Sequence, residues 1–523
     1  MTVGRRLAHA GLIVSATFLA SRVLGWVRLV VIANTFAASP ALDSFFAAFR
    51  IPDLIFQLVA AGALGSALIP IVAGLLATGE ESRAWRVVST VTNLMLIGLL
   101  VLGAVLFVLA PPVVKAITPG FSQVELDRTV ELTRLMLLSP IFLALGSVVT
   151  SVLHAGGRFA AAAVAPVVYN IAIIVAALVL TPAFGIEGVA IGVVCGSLGH
   201  LLVQLWSVTR LGFRYSARID RRDPQARTAL WLMAPRALGL GASQVTFVVM
   251  TSLASTLGAG AITAYNVAFT LLQIPIGVIG VPLGTVVFPS LSREVALGNL
   301  EEYMSLLTRA LRLLIYTMLP IGGLLAILRV PIVQVLFPAF DPKAVEETSS
   351  TLLFFVLGLA AHALIAILAR AFYARQDTRT PVAAAILAVV INSSLAFVFV
   401  GPLGLPGLAL AIAVAAWVET VVLVWLLKRR LEGLDVVALI RVFVEAAVGT
   451  AIAVAVGLLA MRWIEATIGR TPGRIAVTAE GIAVAAVFAL AYLAVSLALR
   501  IPELPTIVAV MVDLVRRGAG RRA

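Results

Sequence analysis

Apolar stretches of about 18 residues or more recur along the whole chain of 523 residues, and this pattern limits the fold more than any other feature. Each stretch can cross the hydrocarbon core of a membrane as a helix, which satisfies its own backbone hydrogen bonds there. Only 12% of the residues are charged, too few to cover the surface of soluble domains of this total length. The sequence therefore predicts an all-α polytopic membrane protein and excludes a soluble enzyme.

Breaks at proline, glycine and charged residues divide the chain into about fourteen predicted transmembrane helices. The predicted spans lie near residues 8–36, 42–76, 85–110, 128–154, 160–180, 187–209, 228–257, 262–289, 304–328, 347–373, 380–400, 404–427, 440–461 and 476–498.

The formal net charge of +13 is distributed unevenly between the two sides of the predicted membrane. With the N-terminus inside, the cytoplasmic segments hold 26 of the 38 Lys and Arg residues, the opposite loops hold seven, and five lie within spans. Cytoplasmic loops are enriched in Lys and Arg, so both termini are predicted to be cytoplasmic. Because the basic residues fall in these short loops, their charge indicates topology and not a nucleic-acid partner.

An internal repeat relates the two halves of the chain. Residues 64–70 (LGSALIP) recur as 283–289 (LGTVVFP), and the same shift of 219 positions carries 185–191 (GIEGVAI) onto 404–410 (GLPGLAL). The shift covers six helices, an even number, so the sequence predicts two six-helix lobes in parallel repeat, an arrangement of transporters that rock about a central cavity. The expected domains are 1–220 (helices 1–6), 221–430 (helices 7–12) and 431–523 (helices 13 and 14 with a basic cytoplasmic tail).

Five arginine and aspartate residues fall within the first two spans: Arg22 and Arg28, then Asp43, Arg50 and Asp53. Charge within the membrane is costly, so such residues are candidates for a functional site that faces a cavity. Three arginines with few acids nearby favour an anion, and the planar guanidinium matches phosphate or pyrophosphate. The alternative is that Arg28 and Arg50 extend to the outer interface or pair with Asp43 and Asp53.

The second half of the chain offers mainly neutral polar groups within its spans. Gln244 and Asn266 are candidates to support the anion site, although interhelical hydrogen bonds account for most such residues in a helical bundle. Glu419 is ionisable and, with Asn392, is the candidate site for a coupling cation, either sodium or a proton.

The remaining residues offer no conventional catalytic or metal centre. His154, His200 and His362 lie on different predicted spans without a second ligand at metal spacing, and Cys195 is a lone cysteine. The chain has no phosphate-binding loop and no nucleophile elbow. The sequence therefore predicts no metal, no organic cofactor and no enzymatic activity.

Four segments resemble the bacterial lipid II flippase family MurJ, also called MviN. They are residues 21–25 (SRVLG) followed by Arg28, 43–52 (DSFFAAFRIP), 284–292 (GTVVFPSLS) and 372–381 (FYARQDTRTP). The stretch FYARQDT is specific to that family, whereas the other segments are shared more loosely across the multidrug/oligosaccharidyl-lipid/polysaccharide exporter superfamily.

The resemblance implies fourteen helices in two lobes plus a final pair, and a multi-pass protein of the bacterial cytoplasmic membrane. It implies alternating access that moves the undecaprenyl-pyrophosphate-linked peptidoglycan precursor from the inner to the outer leaflet, for cell wall biogenesis. The arginines of the family's first span map onto Arg22 and Arg28, which would hold the pyrophosphate, and helices 13 and 14 would hold the lipid tail. The expected partners are this lipid-linked anion and membrane lipids; the oligomeric state stays open, and a monomer is compatible.

The sequence departs from the family pattern at three positions of the anion pocket. An acid that often follows the second arginine of span 1 is Leu29 here, and arginines expected in spans 2 and 8 are Phe56 and Thr270. Arg50 is the candidate to compensate. This depletion keeps two alternatives open: a flippase for another undecaprenyl-linked oligosaccharide, and a non-transporting scaffold that binds lipid.

Overall fold

The computed structural model describes residues 3–59, 63–220, 222–431, 433–468 and 473–505, and these form helices and connecting loops without a strand. The helices are α1 Val3–Phe36, α2 Pro40–Val59, α3 Ala63–Ala77, α4 Glu81–Ile117, α5 Gln123–Met136, α6 Leu138–Ala155, α7 Phe159–Val179, α8 Thr181–Phe184, α9 Ile186–Thr209, α10 Pro224–Ser255, α11 Ala261–Pro275, α12 Val281–Ala296, α13 Leu300–Leu336, α14 Pro342–Val356, α15 Leu359–Ala374, α16 Arg379–Leu403, α17 Leu405–Arg430, α18 Val436–Ile468 and α19 Arg474–Ala498. A π-helical turn, Ile276–Gly280, joins α11 to α12.

The all-helical membrane architecture predicted from the sequence is confirmed. Within the described residues, eleven helical segments are long and apolar enough to cross a membrane, and the number rises to twelve if α14 and α15, bent by 46°, form one span. Each of the fourteen predicted spans coincides with one helix or with two consecutive helices. The exact number of membrane crossings stays a prediction.

The predicted repeat is visible in the helix boundaries. Helices α4 and α13 both have 37 residues, and their first and last residues are separated by the same 219 positions. Two exposed tryptophans at that spacing carry matching contacts: Arg210 lies 3.7 Å from the centroid of the Trp206 ring, and Arg429 lies 5.3 Å from that of Trp425. Both halves therefore fold from the same helical unit.

The backbone angles of Gly185 and Gly404 explain why both repeated segments begin with glycine. Gly185 has φ +58° and ψ −140°, and Gly404 has φ +62° and ψ −138°. These angles are strained for any residue with a Cβ atom, so glycine is needed at both positions. Each glycine lets the chain turn sharply into the next helix, α9 or α17.

Contacts within the chain define two compact units. The first unit comprises 1–263 and 339–341, and the second comprises 264–338 and 342–523. Helix α10 belongs to the first unit and packs on α2, α3 and α4, although the repeat assigns it to the second half of the sequence. The division into lobes at 220 and 430 stays a prediction.

Each unit has its own apolar core. In the first unit, α7 packs on both α1 and α9, and fully buried side chains such as Leu68, Val88 and Leu153 fill the space around α3, α4 and α6. In the second unit, α18 packs on α13 and α19, and the Tyr492 hydroxyl donates a 2.9 Å hydrogen bond to the Tyr316 carbonyl oxygen. The two surplus helices are thus integrated into the second unit.

Candidate functional site

The first unit contains a cavity of about 600 Å³ between α1, α6 and α7. Its walls combine two arginines with small, aromatic and neutral polar side chains. The lining residues are Ser21, Arg22, Gly25, Arg28, Thr150, His154, Phe159, Ala162, Ala163, Pro166, Tyr169 and Asn170. The structure therefore brings Arg22 and Arg28, predicted from the sequence, to one cavity.

Two residues of α7 support the arginine-bearing face of α1. Asn170 donates through Nδ2 to the carbonyl oxygens of Ser21, at 3.4 Å, and of Pro166, at 2.9 Å. The Arg28 guanidinium lies 5.6 Å from the centroid of the Tyr169 ring and also hydrogen-bonds this side chain. Such cation–π contact holds the guanidinium in place without neutralising its charge.

The Arg28 charge is linked to Arg50 through a carboxylate. Asp53 interacts electrostatically with Arg50 and Arg28, and it accepts a hydrogen bond from Gln57. Arg50 does not line the cavity; its Nε donates a 3.0 Å hydrogen bond to Thr251 Oγ1 on α10. The sequence left open whether Arg28 and Arg50 pair with aspartates of α2. In the structure, both arginines interact with Asp53.

Asp43 has a different environment from Asp53. Its side chain is 1% exposed, and its carboxylate accepts hydrogen bonds from Gly260 N at 2.7 Å, Thr263 N at 2.8 Å and Thr263 Oγ1 at 2.6 Å. These donors precede or begin α11, so Asp43 caps that helix from the start of α2. Asp43 does not line the cavity described above.

The other candidate residues lie elsewhere within their own units. Gln244 is buried in α10, and the Asn266 carbonyl oxygen accepts a 2.8 Å hydrogen bond from Thr270 Oγ1. Asn392 is buried in α16, and its Oδ1 has no hydrogen-bond partner within the described residues. Glu419 is half-buried in α17 and interacts electrostatically with Tyr373. The side chain of a further arginine, Arg236, lies outside the described residues.

The positions where the sequence departs from the family pattern are occupied by packing residues. Leu29 is buried, Phe56 packs against the apolar core of the first unit, and Thr270 bonds its own helix. None of these side chains can supply a positive charge. Thr150 and His154 of α6 also line the cavity, and the sequence analysis did not connect them with the arginines. Their spacing of four residues places both on one helical face, and this was the available signal.

The segment 372–381 connects the end of α15 to the start of α16, and it also contacts the end of α17. Asp377 accepts hydrogen bonds from the backbone N–H groups of Arg379 and Thr380, and Arg430 Nη1 lies 2.7 Å from Asp377 Oδ2. Partial burial raises the pKa of the Asp377 carboxyl, but hydrogen bonds from Thr380 and the charge of Arg430 hold the pKa below its ordinary value. The ionised carboxylate therefore stabilises the fold.

Replacing Asp377 by alanine is expected to destabilise the protein by about 1 kcal/mol at pH 7, since a helix cap and an ion pair are lost. Because the folded-state pKa is lowered, this contribution is present above the ordinary aspartate pKa of about 4 and is lost as the pH falls through the folded value. Thermal unfolding in detergent should show a gap between wild type and Asp377→Ala at pH 7 that narrows below about pH 4. A gap that does not change with pH would contradict the ionic role.

Comparison with known proteins gives consistent relatives over most of the chain. The sequence profile of the family described as "Lipid II flippase MurJ" matches residues 32–470, a range that includes Arg50 and begins after Arg28. A "Probable lipid II flippase MurJ" of Vibrio cholerae is 32% identical over 81% of this chain and 83% of its own length. The "Lipid II flippase MurJ" of Burkholderia cenocepacia is also 32% identical, over 81% of this chain and 84% of its own length.

Solved structures share the fold. One described as "Lipid II flippase MurJ, inward closed conformation" matches with a TM-score of 0.79 at 23% identity, covering 95% of this chain and all of the other. An inward-facing multidrug resistance MATE family transporter of the MOP superfamily matches with a TM-score of 0.65 at 18% identity, over 79% and 95% of the two chains. The profile match over residues 32–470 and the two relatives at 32% identity over 81% of this chain lead to one assignment: this chain belongs to the lipid II flippase MurJ family.

Proposed function

We propose that this protein moves lipid II, the undecaprenyl-pyrophosphate-linked peptidoglycan precursor, from the inner to the outer leaflet of a bacterial cytoplasmic membrane. The observation that supports the proposal most strongly is the cavity of the first unit, which two arginines line from a helix apolar enough to span a membrane. Family membership favours lipid II over another undecaprenyl-linked oligosaccharide. The protein acts as a transporter and not as an enzyme.

In this proposal Arg22 and Arg28 bind the pyrophosphate. A guanidinium can donate two parallel hydrogen bonds to phosphate oxygens. Tyr169 and Asp53 hold Arg28 in position, and Arg50 adds positive charge behind Asp53. The arginine pair on α1 is the part of the family's larger arginine set that this chain keeps, and Arg50 is the candidate to compensate for the others.

Transport by alternating access also requires a tail site and a source of energy. The proposed site for the lipid tail is the groove of α18 and α19, the two helices outside the repeat.

Membrane potential is a source of energy that acts directly on the cavity arginines, at about 2.3 kcal/mol per charge per 100 mV. Asn392 and Glu419 are the proposed site for a coupling sodium ion or proton. Both termini are cytoplasmic in this arrangement.

Complementation tests the proposed function. The full chain, produced in a bacterium whose own lipid II flippase is depleted, is expected to restore growth and cell shape at an expression level confirmed by immunoblot. A well-expressed, membrane-inserted protein that fails to restore growth would contradict lipid II transport and favour a lipid-binding scaffold.

A further inference from the structure

Helix α6 presents two polar side chains to the arginine cavity, Thr150 and His154. They are separated by one helical turn, so they lie on the same face of the helix. Both belong to a helix other than the one that carries Arg22 and Arg28. Polar side chains therefore enter the cavity from α6 as well as from α1 and α7.

Thr150 is already engaged within the protein. Its Oγ1 donates a 2.7 Å hydrogen bond to Gln204 Oε1 on α9. The Gln204 amide nitrogen in turn donates to the His200 carbonyl oxygen at 3.0 Å and lies 3.4 Å from His200 Nδ1. This chain of contacts holds α6 against α9 and fixes the position of the cavity face of α6.

His154 differs from Thr150 because its imidazole has no hydrogen-bond partner within the described residues. Its ring packs on the Phe159 ring, with 5.2 Å between centroids and an interplanar angle of 38°. Phe159 lines the same cavity. This tilted ring contact engages the face of the imidazole and not its nitrogens, so an N–H donor stays available to a molecule in the cavity.

We propose that His154 is a substrate-binding residue, whose imidazole N–H donates a hydrogen bond to a phosphoryl oxygen of the anion held by Arg22 and Arg28. The inference rests on the proposed function and deepens it, because it adds a ligand to the same site. A neutral imidazole has one N–H and a charged imidazole has two, so the side chain donates in either form. A pyrophosphate group, with two phosphoryl units, is then bound from α1 and α6 together.

This arrangement also accounts for the depleted arginine set. Phe56 and Thr270, where the family pattern has arginines, are engaged in packing and in a bond within their own helix. The positive charge of Arg28 interacts with the carboxylate of Asp53 as well. A neutral imidazole on α6 supplies a contact to the anion without adding another cation, which would be costly in the membrane.

The test compares two substitutions of His154 in the purified full-length protein. His154→Phe keeps an aromatic ring against Phe159 but removes the donor, whereas His154→Gln keeps an N–H donor. The probe is undecaprenyl pyrophosphate in detergent micelles, with undecaprenol as the phosphate-free control. Loss of one hydrogen bond to a charged group is expected to weaken probe binding by His154→Phe about tenfold, with His154→Gln close to wild type.

The outcomes separate this inference from the proposed function. Equal affinities for the probe in wild type and His154→Phe, at unchanged thermal stability, would overturn the role of His154. So would a wild-type protein that binds undecaprenol as well as undecaprenyl pyrophosphate. Complementation is scored separately: a wild type that binds the probe but does not rescue the depleted strain overturns lipid II transport, while the His154 result stands.

Discussion

Replacement of Asp43 by alanine is expected to destabilise the protein by about 3 to 5 kcal/mol, a large effect for a single side chain. The carboxylate accepts three hydrogen bonds from Gly260 and Thr263, and Thr263 is fully buried. Removal of the acceptor leaves these donors without a partner, and each unsatisfied buried donor costs about 1–3 kcal/mol. The start of α2 would then lose its connection to the start of α11.

Ser44 offers a matched control for this change, since it is the next residue and is equally buried. Within the described part of the chain, its Oγ donates a single hydrogen bond, of 2.9 Å, to the Pro40 carbonyl oxygen of its own helix. Ser44→Ala is therefore expected to cost less than about 1 kcal/mol. Thermal unfolding of both variants in one detergent makes the comparison. Similar melting temperatures for Asp43→Ala and Ser44→Ala would contradict the capping role of Asp43.

Arg28→Ala is expected to abolish rescue of a flippase-depleted strain, with a loss of transport rate of about a hundredfold or more. The guanidinium lines the cavity, and Tyr169 and Asp53 hold it there. Two charge-assisted hydrogen bonds to the pyrophosphate would be lost together, each worth about 1.5–3 kcal/mol. Arg28→Lys keeps the charge but not the planar fork, so it should rescue only in part.

Arg134 provides the control for arginine removal within a membrane helix. It lies on α5, its Nε donates to the Phe107 carbonyl oxygen at 3.0 Å, and its guanidinium lies 4.9 Å from the centroid of the Phe107 ring. It does not line the cavity. Arg134→Ala should therefore rescue as wild type does at matched expression. Full rescue by Arg28→Ala would exclude this arginine from the substrate site.

The sequence predicted the architecture well because the membrane leaves few alternatives. Apolar stretches must become helices in lipid, and a repeat with a constant shift of 219 positions, read from short segments, recurs in the boundaries of α4 and α13. The prediction of an arginine cluster at Arg22 and Arg28 also agrees with the cavity. Both inferences depend on the high cost of exposed backbone and of charge in hydrocarbon.

The sequence could not distinguish the roles of the two aspartates. Asp43 and Asp53 lie ten positions apart on α2, yet one caps α11 and the other links Arg28 to Arg50. The role of Asp43 depends on Gly260 and Thr263, and the role of Asp53 depends in part on Arg28 of another helix, and a single sequence does not reveal these long-range contacts. His154 was overlooked for a related reason, because Arg22 and Arg28, which line the same cavity, lie on α1, far away in the chain.

Reconstitution of the purified protein into vesicles that contain lipid II tests the central claim most directly. The measurement is the fraction of lipid II that becomes accessible to an impermeant reagent on the opposite leaflet over time. The account predicts translocation by the wild type and by Arg134→Ala, and background rates for Arg22→Ala and Arg28→Ala. Background rates for a folded wild-type protein under an imposed membrane potential and a sodium or proton gradient, or equal rates in all four proteins, would contradict it.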